Sequence, residues 1–199
     1  YRRSGDTWSL EQELQPGDSP WNGAFGMSVA ISDDTIAVGT PYVASQTGAV
    51  YVFTRSGTTW TQQQKITADD GAAGDYFGLA VALDGDTLLI GAPLDDGQVG
   101  SAYVFTRSGT TWTPQQKIGA TEGAAGDNFG YALALAGDTA IVGAPYLDVD
   151  SSEYVGAAYV YTRSAGTWTQ GQTLNPSTTG QYQYFGNAVA LDVETAVIG

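Results

Sequence analysis

The sequence predicts an all-β fold, a β-propeller of four-stranded antiparallel blades, from a repeat and from the pattern inside it. The pair Phe-Gly recurs about every 50 residues and a tryptophan follows the same period, a spacing typical of propeller blades. Within each repeat large and small residues alternate, which is typical of strands. The Phe-Gly pairs begin at Phe25, Phe77, Phe129 and Phe185, and the tryptophans are Trp8, Trp60, Trp112 and Trp168.

The repeat over 77–118 shows the four strands in order. The first strand alternates large apolar residues with glycine and alanine, so both of its faces are expected to be buried. The second ends at Gly91-Ala92-Pro93, because proline cannot donate to a sheet ladder. A Ser-Gly-Thr-Thr turn leads to the fourth, whose polar residues and lysine suit an edge facing solvent. The expected strands are 77–83, 87–90, 102–107 and 112–118.

The repeats divide the chain into complete blades and one split blade. The complete blades are expected at 25–66, 77–118 and 129–174. Residues 1–14 supply strands three and four of the split blade, and residues 185–199 supply strands one and two. Two explanations stay open: the ends meet and close a ring, or these repeats form part of a larger ring or array. We favour the larger ring or array.

The composition argues against several classes of function. The chain has 21 acidic and 7 basic residues, for a net charge of −14, which should repel nucleic acid and anionic membranes and attract cations. It has neither histidine nor cysteine, so the usual proton shuttle and the thiolate ligands of zinc are missing. No apolar run approaches the roughly 20 residues that span a bilayer. We expect neither nucleic-acid binding nor membrane insertion.

Phe-Gly before strand one and Gly-Ala-Pro after strand two resemble the FG-GAP repeat, which builds the β-propeller of integrin α-chains and of many bacterial surface proteins. The stretch GDYFGLAVALDGDTLLIGAP, followed by GSAYVFTRSGTTWTPQQKI, is similar to the short bacterial version. The resemblance recurs four times and covers nearly the whole chain. It implies an extracellular or cell-surface protein that acts as a non-catalytic scaffold or adhesion module.

One departure from the integrin pattern concerns calcium. Integrin-type repeats carry a calcium loop of alternating Asp and Asn between strands one and two. Here that segment is a tight turn, Asp84-Gly85-Asp86 in the second complete blade, without the six or more oxygen ligands that calcium normally collects. The resemblance therefore does not imply calcium at these turns.

A second group of acids is expected on one face, where the linkers between blades and the loops joining strands two and three open together. Those loops hold more than half of the 21 acidic residues and no Lys or Arg to balance them. The acids are Asp18, Asp69, Asp70, Asp75, Asp95, Asp96, Glu122, Asp127, Asp148, Asp150 and Glu153. The alternating oxygens of Asp148, Asp150 and Glu153 suit a hard cation such as calcium. Asp95 and Asp96 are a weaker candidate site for the same kind of cation. The alternative interpretation is that these acids keep the surface soluble and cap turns.

Other patterns have structural interpretations. Asp75 and Asp127 stand two residues before Phe-Gly, where an Asx-type turn explains them. In each blade an arginine faces a tryptophan across the last hairpin; cation–π pairing explains this, and a ring of aromatics stacking on sugars is the alternative. No two acids stand out as a glycosidase pair. We expect no catalytic residue and no required cofactor.

These observations leave three functions open. The first is the scaffold or adhesion module, with a protein or glycan partner at the acidic loops. The second is a structural subunit of an extracellular fibre, in which split blades of successive subunits complete each other, since unpaired strands are templates for addition. The third is a glycan-binding or glycosidase-associated propeller.

Overall fold

The computed structural model describes residues 1–18, 23–149, 152–178 and 180–199. It contains three sheets of four antiparallel strands, each in sequence order, and two sheets of two strands. The predicted fold class, all-β with four-stranded antiparallel blades, is confirmed. Within the described ranges, no helix has the length and apolar character needed to cross a bilayer.

The strands follow one another as antiparallel neighbours. The first two-stranded sheet is β1 (Arg2–Ser4) and β2 (Thr7–Ser9). The first blade is β3 (Ser28–Ser32), β4 (Thr35–Thr40), β5 (Ala49–Ser56) and β6 (Thr59–Ile66). The second blade is β7 (Ala80–Asp84), β8 (Thr87–Ala92), β9 (Ser101–Ser108) and β10 (Thr111–Ile118). The third blade is β11 (Ala132–Ala136), β12 (Thr139–Ala144), β13 (Ala157–Ser164) and β14 (Thr167–Leu174). The last sheet is β15 (Val189–Leu191) and β16 (Ala196–Ile198). Two short helical turns, α1 (Val43–Gln46) and α2 (Asp95–Gln98), lie between strands two and three.

The core lies between the faces of successive blades. The alternation of side chains along a strand explains it, because neighbouring residues point to opposite faces. In β8, Leu88 and Ile90 pack in the cluster shared with the first blade, whereas Leu89 packs in the cluster shared with the third. The first strands β3, β7, β11 and β15 lie next to one another in turn. Each blade therefore depends on its neighbours to bury both faces.

The Phe-Gly pair joins two blades and does not belong to the first strand. The second blade's first strand begins at Ala80, so the expected start at Phe77 is wrong. The reason is the left-handed backbone of Gly78, with φ of 90°, which breaks the extended conformation. The Phe77 N–H donates to the carbonyl of Thr47 in the first blade at 3.0 Å. Its ring is fully buried against Tyr103 of its own blade.

The glycine of Gly-Ala-Pro is required by the approach of the next blade. The Gly91 carbonyl accepts a hydrogen bond from the Gly78 N–H at 2.9 Å. A Cβ added to Gly91 would overlap the carbonyl oxygen of Gly130, the glycine of the next Phe-Gly pair. The two signature motifs therefore meet in the contact between neighbouring blades.

Candidate functional site

The structure brings the linkers and the loops between strands two and three together on one side, here called the loop face. Each linker runs beside the loop of the preceding blade. The N–H of Phe129 donates to the Val99 carbonyl at 2.9 Å, and the N–H of Tyr184 donates to the Tyr154 carbonyl at 2.9 Å. Acids and aromatics that are distant in sequence therefore share this face.

In the second blade, a lysine from the outer strand forms ion pairs with three acids of the loop face. The Lys117 ammonium lies 2.7 Å from Asp70, 2.7 Å from Asp95 and 3.0 Å from Asp96. The Tyr103 hydroxyl lies 2.9 Å from an Asp70 oxygen and 2.8 Å from an Asp95 oxygen, so the two carboxylates share its single proton. The loops themselves hold no Lys or Arg, and the balancing cation reaches them from β10.

These contacts explain the pKa values of the cluster. Burial alone would lower the pKa of Lys117, but its hydrogen bonds to the three carboxylates outweigh burial and raise that pKa. Burial would raise the pKa of Asp95, yet the hydrogen bond from Lys117 holds it below the ordinary value. The same lysine is the main cause of the lowered pKa of Asp70. The cluster is therefore charged at neutral pH.

The first blade has the same arrangement with a single acid. The Lys65 ammonium lies 2.5 Å from Asp18, and the Tyr51 hydroxyl donates to the same carboxylate at 2.6 Å. The Lys65 hydrogen bond is the main cause of the lowered pKa of Asp18. A tyrosine, an acid and a lysine thus recur as a unit in two successive blades.

The candidate metal residues do not converge in the described ranges. One Asp148 oxygen accepts a hydrogen bond from the Tyr154 N–H at 2.8 Å, while Glu153 accepts one from the Tyr182 hydroxyl at 2.7 Å. Asp150 lies outside the described residues. Among the residues that the structure describes, no group of three acids is arranged to hold a metal ion. The metal prediction stays a prediction.

The metal candidates Asp95 and Asp96 already have a cation beside them, the ammonium of Lys117. Any calcium ion at these two residues would have to displace that lysine.

Asp75 and Asp127 cap turns, as their position before Phe-Gly predicts. A carboxylate oxygen of Asp75 accepts a hydrogen bond from the Ala72 N–H at 2.6 Å, and one of Asp127 accepts from the Ala124 N–H at 2.8 Å. Both side chains are buried. Burial raises the pKa of Asp127, and the nearby charge of Asp148 adds to the effect. These acids are part of the fold and are not displayed to a ligand.

The arginine and tryptophan pairs join blades on the opposite side. The Arg107 guanidinium lies 5.3 Å from the centre of the Trp112 ring, and the first and third blades have the same pair. The Arg107 side chain also donates to Asp86 at 2.6 Å and to Thr35 of the first blade at 2.7 Å. Trp112 is 2% exposed, so its ring is not available to stack on a sugar.

A cluster of tyrosines, two of them exposed, lies on the loop face of the third blade. This tyrosine patch comprises Tyr131, Tyr146, Tyr154, Tyr182 and Tyr184. Tyr146 contacts three of the other rings with centroids 5.5–5.8 Å away. Tyr154 stacks on Tyr184 at 5.8 Å and 18°, and also contacts Tyr182. Tyr154 and Tyr182 are 37% and 53% exposed.

Sequence reasoning missed the tyrosine patch because its members come from three separate segments. The usable signal was the motif Gln-Tyr-Gln-Tyr at 181–184, in a linker where the two preceding repeats have Gly-Asp shortly before their Phe-Gly pairs at Phe77 and Phe129. A groove of about 270 Å³ continues from Tyr131 towards the first blade and is lined in part by Tyr42, Tyr76 and Leu94. The aromatic surface therefore extends along the loop face.

Comparison with known families agrees with this architecture. The family model of the FG-GAP repeat matches residues 8–53, 60–105, 112–161 and 168–199. Each match begins at a tryptophan of an outer strand, and the first three end in the third strand of the following blade. A search of curated proteins found no match to the chain. Since the four matches cover most of its length, the chain belongs to the FG-GAP repeat family.

Proposed function

We propose that the chain is a non-catalytic propeller module, at the cell surface or outside the cell, that binds a protein partner through its loop face. The observation that carries this proposal is the tyrosine patch, where five rings touch one another and two are substantially exposed. Tyrosine is enriched at protein interfaces because a rigid amphipathic ring buries much area at little entropic cost. The resemblance to surface proteins of the FG-GAP family supports the location.

The charge around the patch favours a basic partner. Asp148 and Glu153 are exposed beside the tyrosines, and the chain as a whole carries a net charge of −14. Complementary charge steers a partner to an interface and selects against like-charged competitors. The blades serve as the scaffold, since each is fixed to its neighbours by buried faces and hydrogen bonds.

A binding panel tests the proposal. The labelled chain is applied to immobilised basic proteins, acidic proteins and neutral glycans at physiological salt. We expect binding to basic proteins that falls at least tenfold in the double variant Tyr154→Ser with Tyr182→Ser. Tyr1→Ser serves as the matched control, because Tyr1 is 81% exposed and directly precedes β1, outside the patch. Equal binding by the double variant and the original chain would contradict the proposal.

A structural subunit of a fibre is the second candidate, supported by two exposed residues. Trp8 is 62% exposed, although Trp60, its equivalent in the next repeat, is 8% exposed. Gln172 is also exposed, and it occupies the place in β14 that Gln116 has in β10. Gln116 bonds the backbone of Trp168 in the next blade. Gln172 of one copy therefore suits Trp8 of another.

Native mass and electron microscopy test the fibre. Large particles that become smaller in both Trp8→Ser and Gln172→Ala would support a polymer built from completed blades. A monodisperse monomer at high concentration would contradict the fibre proposal. Binding of neutral glycans in the panel, lost in the tyrosine double variant, would instead favour the glycan-binding alternative.

A further inference from the structure

The third blade lacks a lysine that the first two blades have. In the outer strand pair of the first two blades a lysine lies opposite a tyrosine, and the pairs are Lys65 with Tyr51 and Lys117 with Tyr103. In the third blade Thr173 lies opposite Tyr159. The tyrosine of the recurring unit is therefore present, but its cation is missing.

Two acids, Glu122 and Asp148, remain in the third blade and line a cavity of about 640 Å³, although Leu147 stands where the second blade has the buried Asp95. Its walls include Glu122, Asp148, Tyr159, Gln170 and Thr173. Glu122 occupies the position in its linker that Asp70 has in the preceding one, four residues after the end of the outer strand. The cavity thus lies where the other blades place a lysine side chain.

Tyr159 is a largely buried side chain on the wall of this cavity, 5% exposed. Among the described residues its hydroxyl makes no hydrogen bond, whereas the hydroxyl of Tyr103 lies within hydrogen-bond distance of two carboxylates. A group that enters the cavity can therefore donate a hydrogen bond to the Tyr159 hydroxyl. Burial, with the charges of Asp127 and Glu122, raises the pKa of Tyr159 to about 12, so the phenol is neutral at physiological pH.

We propose that this cavity, the ammonium pocket, binds a primary ammonium group supplied from outside the chain. The second blade shows how: the Lys117 ammonium donates to carboxylates at 2.7–3.0 Å and lies 5.3 Å from the centre of the Tyr103 ring. In the third blade Glu122 and Asp148 supply the carboxylates and Tyr159 supplies the ring and a hydroxyl. Two acids and an aromatic face are a suitable environment for such a cation.

The ammonium has two sources, a lysine side chain of a partner or a free polyamine. The first source deepens the proposed function and rests on it, because Asp148 and the tyrosine patch belong to the same loop face. Binding of a small amine does not depend on the proposed function. Failure of amine binding would overturn the pocket, while the tyrosine patch would still be tested by the protein panel.

Titration of the chain with n-butylammonium, the end of a lysine side chain, tests the pocket. The readout is the NMR signal of ring-labelled Tyr159 in physiological salt, assigned with Tyr159→Phe. We expect a saturable shift, with affinity at least tenfold weaker when Glu122→Gln and Asp148→Asn are combined. Tighter binding of tetralysine than of spermidine assigns the ammonium to a protein, and the reverse assigns it to a polyamine; both support the pocket.

The most direct test places a lysine in the third blade at the position that Lys65 and Lys117 have in the first two blades. Thr173→Lys should fill the pocket, abolish the butylammonium shift and raise the melting temperature. Thr167→Lys adds the same charge to the exposed start of β14 and should bind as the original chain does. An unchanged affinity in both the Thr173→Lys chain and the double acid variant would overturn the proposal. So would a calcium ion that gives the same shift at lower concentration than butylammonium, because the pocket would then be a metal site.

Discussion

The side-chain amide of Gln64 brackets the backbone of Trp112 in the next blade with two hydrogen bonds. Its nitrogen donates to the Trp112 carbonyl at 2.9 Å, and its oxygen accepts from the Trp112 N–H at 2.8 Å. Gln12 makes the same pair with Trp60 at 2.9 and 2.8 Å. Neighbouring outer strands are thereby joined by side chains and not by a backbone ladder.

Replacing Gln64 tests this connection. Gln64→Ala removes both bonds and leaves the Trp112 backbone without these partners in a partly buried place, so we expect a loss of about 1–3 kcal/mol in unfolding free energy. Chemical denaturation measures it. Gln172→Ala is the matched control. Gln172 has the equivalent position in β14 but is exposed, so its replacement should lower the unfolding free energy by less than about 0.5 kcal/mol. Equal losses in the two variants would contradict the role given to Gln64.

The close contact between signature motifs predicts that Gly91→Ala is strongly destabilising. The added methyl overlaps the Gly130 carbonyl, which is backbone and cannot move without displacing the third blade. We expect a loss of about 2–3 kcal/mol, measured by denaturant unfolding. At Gly119 the nearest atom to an added Cβ is 3.8 Å away, so Gly119→Ala is the control and should be nearly neutral. A stable Gly91→Ala protein would show that the blades do not pack this closely.

The sequence predicted the sheets well and the contacts between blades poorly. Period-two alternation and the recurring Phe-Gly indicated strands, because a strand buried on both faces has apolar or small residues at every position. No residue pattern in the sequence indicated the left-handed turn at Gly78, so the predicted first strand begins at Phe77, three residues before its observed start at Ala80. The pairing of Lys117 with Asp95 depends on cross-strand register, which the composition of an edge strand does not reveal. The tyrosine patch depends on loops from separate repeats meeting in space.

The carboxylates around Lys117 predict a characteristic dependence of stability on pH. The pKa values of Asp70 and Asp95 are lowered in the folded state, so their contribution is present above the ordinary value of 3.8 and is lost as the pH falls below it. The raised pKa of Lys117 gives a contribution that is present below 10.5 and lost as the pH rises beyond it. We expect unfolding free energy to fall on both sides of a neutral plateau, which denaturation at a series of pH values measures.

Removing the lysine should change the acid side of that profile. Lys117→Met leaves three carboxylates together, and we expect a loss of about 2–3 kcal/mol at pH 7. Acid then relieves their repulsion, so the variant should lose less stability between pH 5 and pH 3 than the original chain does. Lys65→Met, which leaves the single acid Asp18, should cost less. If the unfolding free energy of Lys117→Met fell as steeply between pH 5 and pH 3 as that of the original chain, this explanation would be wrong.

The arginine on the opposite side predicts that lysine cannot replace it. Arg107 uses separate nitrogens for Asp86 and Thr35 while stacking over Trp112, a geometry that a point charge does not reproduce. We expect Arg107→Lys to lower the unfolding free energy by about 1–2 kcal/mol. Arg3→Lys, at a side chain 61% exposed in β1, should have no measurable effect. Thermal unfolding of both variants decides the point.

Hydrogen exchange with and without the best-bound basic protein of the panel locates the binding surface on the chain. We predict slower exchange of backbone amides in the loop over 152–156 and the linker over 180–186, with little change in β1, β2 and the outer edge strands. Protection concentrated in β1, β2, β15 and β16 would rule out binding at the loop face and would favour blade completion between copies.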